Sequence, residues 1–203
     1  MTPLSRLPAL ILTALLALTP VAESARPNFL DAVRPLSTDV FNSWTGEIER
    51  HNICTASSIN KKVGSKAPYG GYWLTAAHCV KYLEATYWIM DQKAPVVMRD
   101  VLNDIAIIWT EKPAKESLRL AKRWPQFSDK ITMAGYPFGS KAVYITHGFI
   151  ANPLAYINDY ETHRPFTVLD LAGAPGNSGS SVLNAEGEIV SMLQAGWGRE
   201  FSP

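Results

Sequence analysis

Gly176-Asn177-Ser178-Gly179, preceded along the chain by Thr75-Ala76-Ala77-His78-Cys79 and Asn103-Asp104-Ile105-Ala106, decides how this sequence reads. A serine hydroxyl at pH 7 is almost wholly protonated and weakly nucleophilic. It needs a base to take its proton and a third group to orient that base. Ser178, His78 and Asp104 are residues of the three types required, each in its own marked context. Asp104 opens the run Ile105-Ala106-Ile107-Ile108-Trp109, which is too apolar for anything but a buried strand. A carboxylate at the mouth of such a strand should be hydrogen-bonded, because an unpaired buried charge is costly.

The order His78, Asp104, Ser178 separates the possible folds. Subtilisins run Asp-His-Ser and α/β-hydrolases run Ser-Asp-His. Gly176-Asn177-Ser178-Gly179-Ser180 is also not the esterase nucleophile elbow, which needs glycine where Ser180 stands. In these motifs and in this order the chain resembles the trypsin/chymotrypsin superfamily over about residues 40–196. Its serine motif, Ala174-Pro175-Gly176-Asn177-Ser178-Gly179-Ser180, is similar to the version found in bacterial glutamyl endopeptidases and heat-shock proteases. The resemblance implies an all-β fold of two antiparallel β-barrels of the six-stranded type. It also implies peptide-bond hydrolysis with Ser178 as nucleophile, His78 as base and Asp104 as orienter, the N–H groups of Gly176 and Ser178 forming the oxyanion hole. No metal or organic cofactor is needed for that chemistry, and the implied partner is a protein or peptide substrate.

The N-terminal stretch carries Arg6, an apolar run over residues 9–18, then Thr19-Pro20 and the small-residue site Ala22-Glu23-Ser24. That layout reads as a signal peptide over residues 1–24, cut after Ser24 or Ala25; a retained anchor or a buried helix is the alternative. Residues 25–203 then form one protease domain, secreted or periplasmic, with no membrane attachment after cleavage. The sequence holds 19 Lys and Arg against 18 Asp and Glu and has no long basic run, so nucleic acid and anionic membranes are disfavoured as partners. Nothing in it sets an oligomeric state.

Cys54 and Cys79 are the two cysteines, and an even count in an exported chain favours a disulfide. Closing that loop would stabilise by about 3 kcal/mol in the chain-entropy model. The resemblance places the same bridge beside the catalytic histidine. The competing idea, zinc held by His51, Cys54, His78 and Cys79, lacks the paired short spacings of structural zinc sites.

From residue 40 to 196 the pattern is short apolar or alternating runs broken by Gly, Pro, Asn and Asp, the mark of a sandwich or barrel. Strands are expected at residues 46–50, 54–59, 71–75, 86–90, 96–99, 105–110, 130–135, 142–151, 166–171, 181–183 and 188–193, with a helical turn within 28–33 and another over 76–81. The charged, Pro113-containing segment 111–124 reads as the link between a first barrel at about 40–112 and a second at about 125–203. Asp100 reads as a turn residue, and His51, His147 and His163 as structural or surface histidines.

Two features bear on regulation and specificity. Trypsin-like zymogens carry aspartate immediately before the serine to pair with a new N-terminus; here Asn177 stands there, and no such switch is expected. The positions resembling the specificity pocket are Ala172 and Gly173 on one wall and Gln194, Ala195 and Gly196 on the other, with no charge at the base. Lys/Arg preference is disfavoured by Ala172, and Glu preference by Leu193, which stands where glutamyl endopeptidases carry histidine. A small or medium apolar side chain is the default. Residues 194–203 are too few for the strand and helix that end the family's fold, so the second barrel is expected to be incomplete or closed by something else. That leaves a catalytically impaired binding domain, and an esterase on the same fold, as alternatives to the endopeptidase.

Overall fold

The computed structural model describes residues 29–59, 70–156 and 165–194; the expected signal peptide lies outside them. A 3-10 turn over Phe29–Ala32 leads into β1 (Val33–Asn42) and β2 (Glu47–Ile59). After β3 (Gly71–Thr75) comes a second 3-10 turn, Ala77–Val80, followed by β4 (Tyr87–Ile89), β5 (Gln92–Lys93), β6 (Val96–Asp100) and β7 (Ile105–Thr110). The second half contains β8 (Lys130–Gly135), a 3-10 turn at Pro137–Gly139, β9 (Tyr144–Tyr156), β10 (Pro165–Asp170), β11 (Ser181–Leu183) and β12 (Ile189–Met192). The described residues are thus all-β, in two curled antiparallel sheets ordered β5-β4-β1-β2-β3-β7-β6 and β10-β9-β8-β11-β12.

Where a run is apolar, unbroken and bounded by turn residues, the strand falls where its sequence puts it: β3, β7, β8 and β11 have the expected limits. The strand β1, by contrast, was not expected, and the first sheet therefore starts at Val33 instead of about residue 40. Pro35 hides it, since proline cannot donate to a ladder and argues against a central strand. Pro35 is tolerated because its pairing with β4 begins only at Leu36, so the missing N–H forfeits no bond on that side. The expected strands at 46–50 and 54–59 are one strand, β2, bent by a bulge. Leu36 faces Cys54 and Ser37 faces Asn52, which makes Ile53 the extra residue and shifts the alternation of inward side chains by one.

The first core lies inside the first sheet, with Leu36, Ala56, Trp73, Ile89 and Ile108 almost wholly removed from water. Trp73 brings a polar N–H into it, and that N–H donates to Thr110 Oγ1 at 2.9 Å. An unmet donor there would cost about 1–3 kcal/mol. The sheet is curled, and Gln92 of β5 joins it to the segment after β7: its Oε1 accepts from the Lys112 N–H at 2.7 Å.

A second cluster, Ala32, Val33, Leu118, Ala134, Tyr136, Leu183 and Ile189, with Ile59 and Leu74 against it, fills the seam between the halves. The linking segment is part of this seam. Its Leu118 N–H donates to Ser58 O at 2.8 Å, and Arg119 O and Ala121 N–H bond Ile189 at 2.7 and 2.9 Å, so it stitches the end of β2 to β12. The core of the second sheet is thinner, built on Ile131, Ile150 and Val182. The ends of β3, the β6–β7 turn and the loop before β11 all open onto the seam, and these carry the candidate residues.

Candidate active site

Residues 75–80 are buried apart from His78. Ala76, Ala77, Cys79 and Val80 turn inward, and the tight 3-10 turn leaves the imidazole as the one side chain facing out. The turn is tied down twice, by the Cys54–Cys79 disulfide to β2 and by Arg99 Nε, which donates to Ala77 O at 3.1 Å.

Asp104 ends the turn between β6 and β7, its N–H donating to Val101 O at 3.3 Å, and it sits at φ +50°. Aspartate tolerates this left-handed conformation better than most residues. Asp100 opens the turn, its carboxylate accepting from the backbone and side-chain amides of Asn103 at 3.0 and 2.6 Å, the turn role expected of it. The conformation aims the Asp104 carboxylate back at the histidine. Oδ1 accepts from the His78 N–H at 2.8 Å and Oδ2 lies 2.8 Å from His78 Nδ1. A carboxylate oxygen accepts, so Nδ1 is the donor side of this pair and Nε2 is the ring nitrogen left without a protein partner among the described residues.

Ser178 reaches the same place by its backbone. Its N–H lies between Gly176, at φ +95°, and Gly179, at φ +83°. A Cβ on Gly176 would fall 2.5 Å from Tyr136 O and 2.9 Å from Phe138 N, so the loop packs directly on the turn after β8. The carbonyls of the loop are all engaged: Ala174 O by Asn177 N–H at 3.0 Å, Pro175 O by Phe138 N–H at 2.6 Å, Asn177 O by Ser180 N–H at 2.9 Å and Ser178 O by Thr55 N–H at 2.9 Å. Gly176 O accepts from Thr55 Oγ1 at 2.9 Å. Among the described residues nothing accepts from the N–H of Gly176 or of Ser178. Two free donors beside a serine are what an oxyanion site needs.

Ser178 Oγ is half-buried and makes no hydrogen bond to His78 among the described residues. Its carbonyl oxygen lies 3.9 Å from Cys79 Sγ, a packing contact, since the bridged sulfur has no hydrogen to donate. The backbone of Ser178 thus packs on the histidine turn, with no hydrogen bond between the two side chains among the described residues.

The sulfurs of Cys54 and Cys79 and a ring nitrogen of His78 lie within 4.8 Å of one another. The disulfide consumes both thiolates that a zinc ion would require, and His51 is elsewhere on β2, beside Glu49 Oε2 at 3.3 Å. His147 faces Thr132 Oγ1 at 3.0 Å, and His163 lies outside the described residues.

A family model described as the trypsin-like peptidase domain matches residues 63–192. The chain belongs to this family. It is similar to Protease Do-like 2, chloroplastic, of Arabidopsis thaliana, being 32% identical over an alignment of 135 residues that covers 60% of this chain and 22% of that protein. The chain thus matches about a fifth of the length of this curated relative.

In this trypsin-like peptidase domain the expected pocket residues divide. Ala172 and Gly173 are exposed, with Gly173 lying against Leu193. Gln194 turns its side chain across the seam, its Nε2 donating to Asn103 O at 2.8 Å, so it supports the aspartate turn from the second half. Ala195 and Gly196 lie outside the described residues.

Sequence reasoning missed Thr55 and Phe138. Thr55 is a small residue in a run of small residues and bears no local mark of its cross-chain contacts. Phe138 sits at φ +54° while remaining 79% exposed, and its N–H donates to Pro175 O at 2.6 Å. The signal available was Tyr136-Pro137-Phe138-Gly139, a turn sequence directly after a buried strand.

Proposed function

We propose that this protein is an exported serine endopeptidase that works through Ser178, His78 and Asp104. The observation that carries the reading is the double engagement of Asp104, which accepts from both the backbone N–H and the Nδ1 side of His78 at 2.8 Å. Asp104 thereby holds one tautomer of His78, leaving Nε2 as the base. Ser178 Oγ attacks the peptide carbonyl carbon as its proton passes to Nε2, and the carbonyl oxygen becomes an oxyanion facing the N–H groups of Gly176 and Ser178. Collapse expels the amine, which takes the proton from His78, and leaves an acyl-serine. Water, deprotonated by His78, then attacks the acyl carbon and releases the acid. Asp104 stays ionised throughout and stabilises the imidazolium.

Export rests on the apolar run and small-residue site of residues 1–24 and puts the enzyme in the periplasm or outside the cell. The uncharged walls at Ala172 and Gly173 favour a small or medium apolar side chain at the cleavage position. The missing Ser178–His78 bond favours a second reading, a protease-like binding domain.

Treatment with a fluorophosphonate followed by mass spectrometry separates the two. Adduct on Ser178, with casein hydrolysis abolished in a folded Ser178→Ala variant, is the expected result. A folded, disulfide-bonded protein that takes no adduct would establish the binding domain instead.

A further inference from the structure

We infer that Thr55, a residue of the first sheet, is a positioning residue that sets the oxyanion donors of the serine loop. This rests on the peptidase reading above.

A peptide unit is planar and, with no cis bonds among the described residues, its N–H points opposite to its C=O. Fixing a carbonyl therefore aims the amide on the other side of the same plane. Four successive planes run from Pro175 to Gly179. The first and third carry the N–H groups of Gly176 and Ser178, and their carbonyls are held within the second half, by Phe138 and Ser180. The second and fourth carry the carbonyls of Gly176 and Ser178, and both are held by Thr55, one through its hydroxyl and one through its N–H, each at 2.9 Å. The Ser178 N–H thus lies in a plane pinned on both sides by a single residue. Thr55 fixes the two flanking planes and the Ser180 N–H holds the carbonyl of the plane between them, so the Ser178 N–H keeps its direction only while both sets of bonds stand.

The hydroxyl is itself directed. Thr55 Oγ1 accepts from the Tyr136 N–H at 3.0 Å, which occupies a lone pair and leaves its hydrogen to point at Gly176 O. Thr55 O is in turn fixed by Thr75 Oγ1 at 2.8 Å, three residues before His78, and the residue is wholly buried. One residue on β2 therefore ties together the strand that leads to His78, through its backbone carbonyl, and the turn after β8 and the loop of Ser178, through its hydroxyl. Valine has the same shape and lacks both hydroxyl bonds; serine keeps both.

The test uses the full chain and a fluorophosphonate as probe, because phosphonylation places an oxygen where the oxyanion forms. Second-order labelling rates are measured for the unsubstituted protein, Thr55→Val and Thr55→Ser as a function of pH. Thr55→Val is expected to lower the plateau rate by about 10²-fold, the size of losing one oxyanion donor, with the pH midpoint unmoved because His78 and Asp104 are untouched. Thr55→Ser is expected to stay within about threefold of the unsubstituted protein, on the same principle. A folded Thr55→Val protein that labels at the original rate overturns the inference, as does a Thr55→Ser protein slowed as much as the valine variant. If Thr55→Val does not fold, the serine variant decides: a plateau loss beyond about tenfold overturns the inference. Absence of labelling in the unsubstituted protein alone defeats the peptidase reading and takes this inference with it.

Discussion

Replacing both Cys54 and Cys79 with alanine cuts a cross-link whose two ends lie beside the working parts of the site. The bridged residues are 25 apart in sequence. The chain-entropy relation gives about 3.5 kcal/mol at 25 °C for a loop of that length. For a domain of this size each kcal/mol moves the melting midpoint by about 2–4 °C, so the double variant should melt about 7–14 °C lower. Activity should fall as well, for a local reason. Cys54 precedes Thr55, which holds the serine loop, and Cys79 follows His78, so the bridge links the supports of Ser178 and His78, the proposed nucleophile and base. The assay is a circular-dichroism melt of the double variant, paralleled by fluorophosphonate labelling at a temperature where both proteins are folded. The unsubstituted protein in a reductant should reproduce both effects. A midpoint within about 3 °C of the unsubstituted protein would refute the stability reasoning. A lowered midpoint with unchanged labelling at low temperature would refute the link to the site.

Asp104→Asn should lower turnover by about 10⁴ with little change in the melt, because an amide nitrogen would present hydrogens to one of the two His78 donors and the wrong ring tautomer would follow; casein hydrolysis at pH 7 checks it. Asp129 offers a separate test at the surface. A hydrogen bond from Arg123 at 2.8 Å, and a second from the Gln126 N–H, hold its carboxyl below the usual carboxylate range. A folded-state value below the unfolded one contributes stability at neutral pH that is lost as pH falls through the folded value. Melting midpoints of Asp129→Asn should therefore lie below those of the unsubstituted protein at pH 7 and converge on them once pH has fallen below the usual carboxylate range; a gap that stays constant through that fall would contradict the assignment.

His78 and Asp104 were legible as residues of distinctive chemistry beside apolar runs and Ser178 as a serine framed by two glycines, and the apolar runs also set β3, β7 and β11 to the residue. β1 was not legible, for reasons of backbone chemistry. Pro35 removes a donor, and the bulge that relieves its neighbourhood puts the extra residue, Ile53, on the partner strand, where it breaks the period of two by which strands are recognised. β5 escaped because two residues carry no period, and Gln92 does by side chain what a longer strand would do by backbone. Gln194 read as a pocket wall because its position in sequence says nothing of the direction its side chain takes across the seam.

The oxyanion donors illustrate a more general limit. Gly176 and Ser178 can be named from the serine motif, but the direction of their N–H groups is set by where four carbonyls go, and those partners, Thr55, Phe138 and Ser180, are scattered over both halves. None of the three has a side chain that must touch a substrate. Gly135 extends the same logic one layer deeper: a Cβ there would fall 2.5 Å from Asn177 Oδ1 and closer still to Ser180 Oγ, on the buried side of the loop. Positions whose chemistry looks neutral in sequence thus set the direction of these amides through planar peptide groups, and in the proposed reaction they would set its electrostatics. Since Thr55 and Gln194 both bridge the halves, the site depends on the seam as much as on either sheet. If the proposed peptidase reading holds, a perturbation that loosens the seam should abolish labelling of Ser178 before it melts the strands that carry His78 and Asp104.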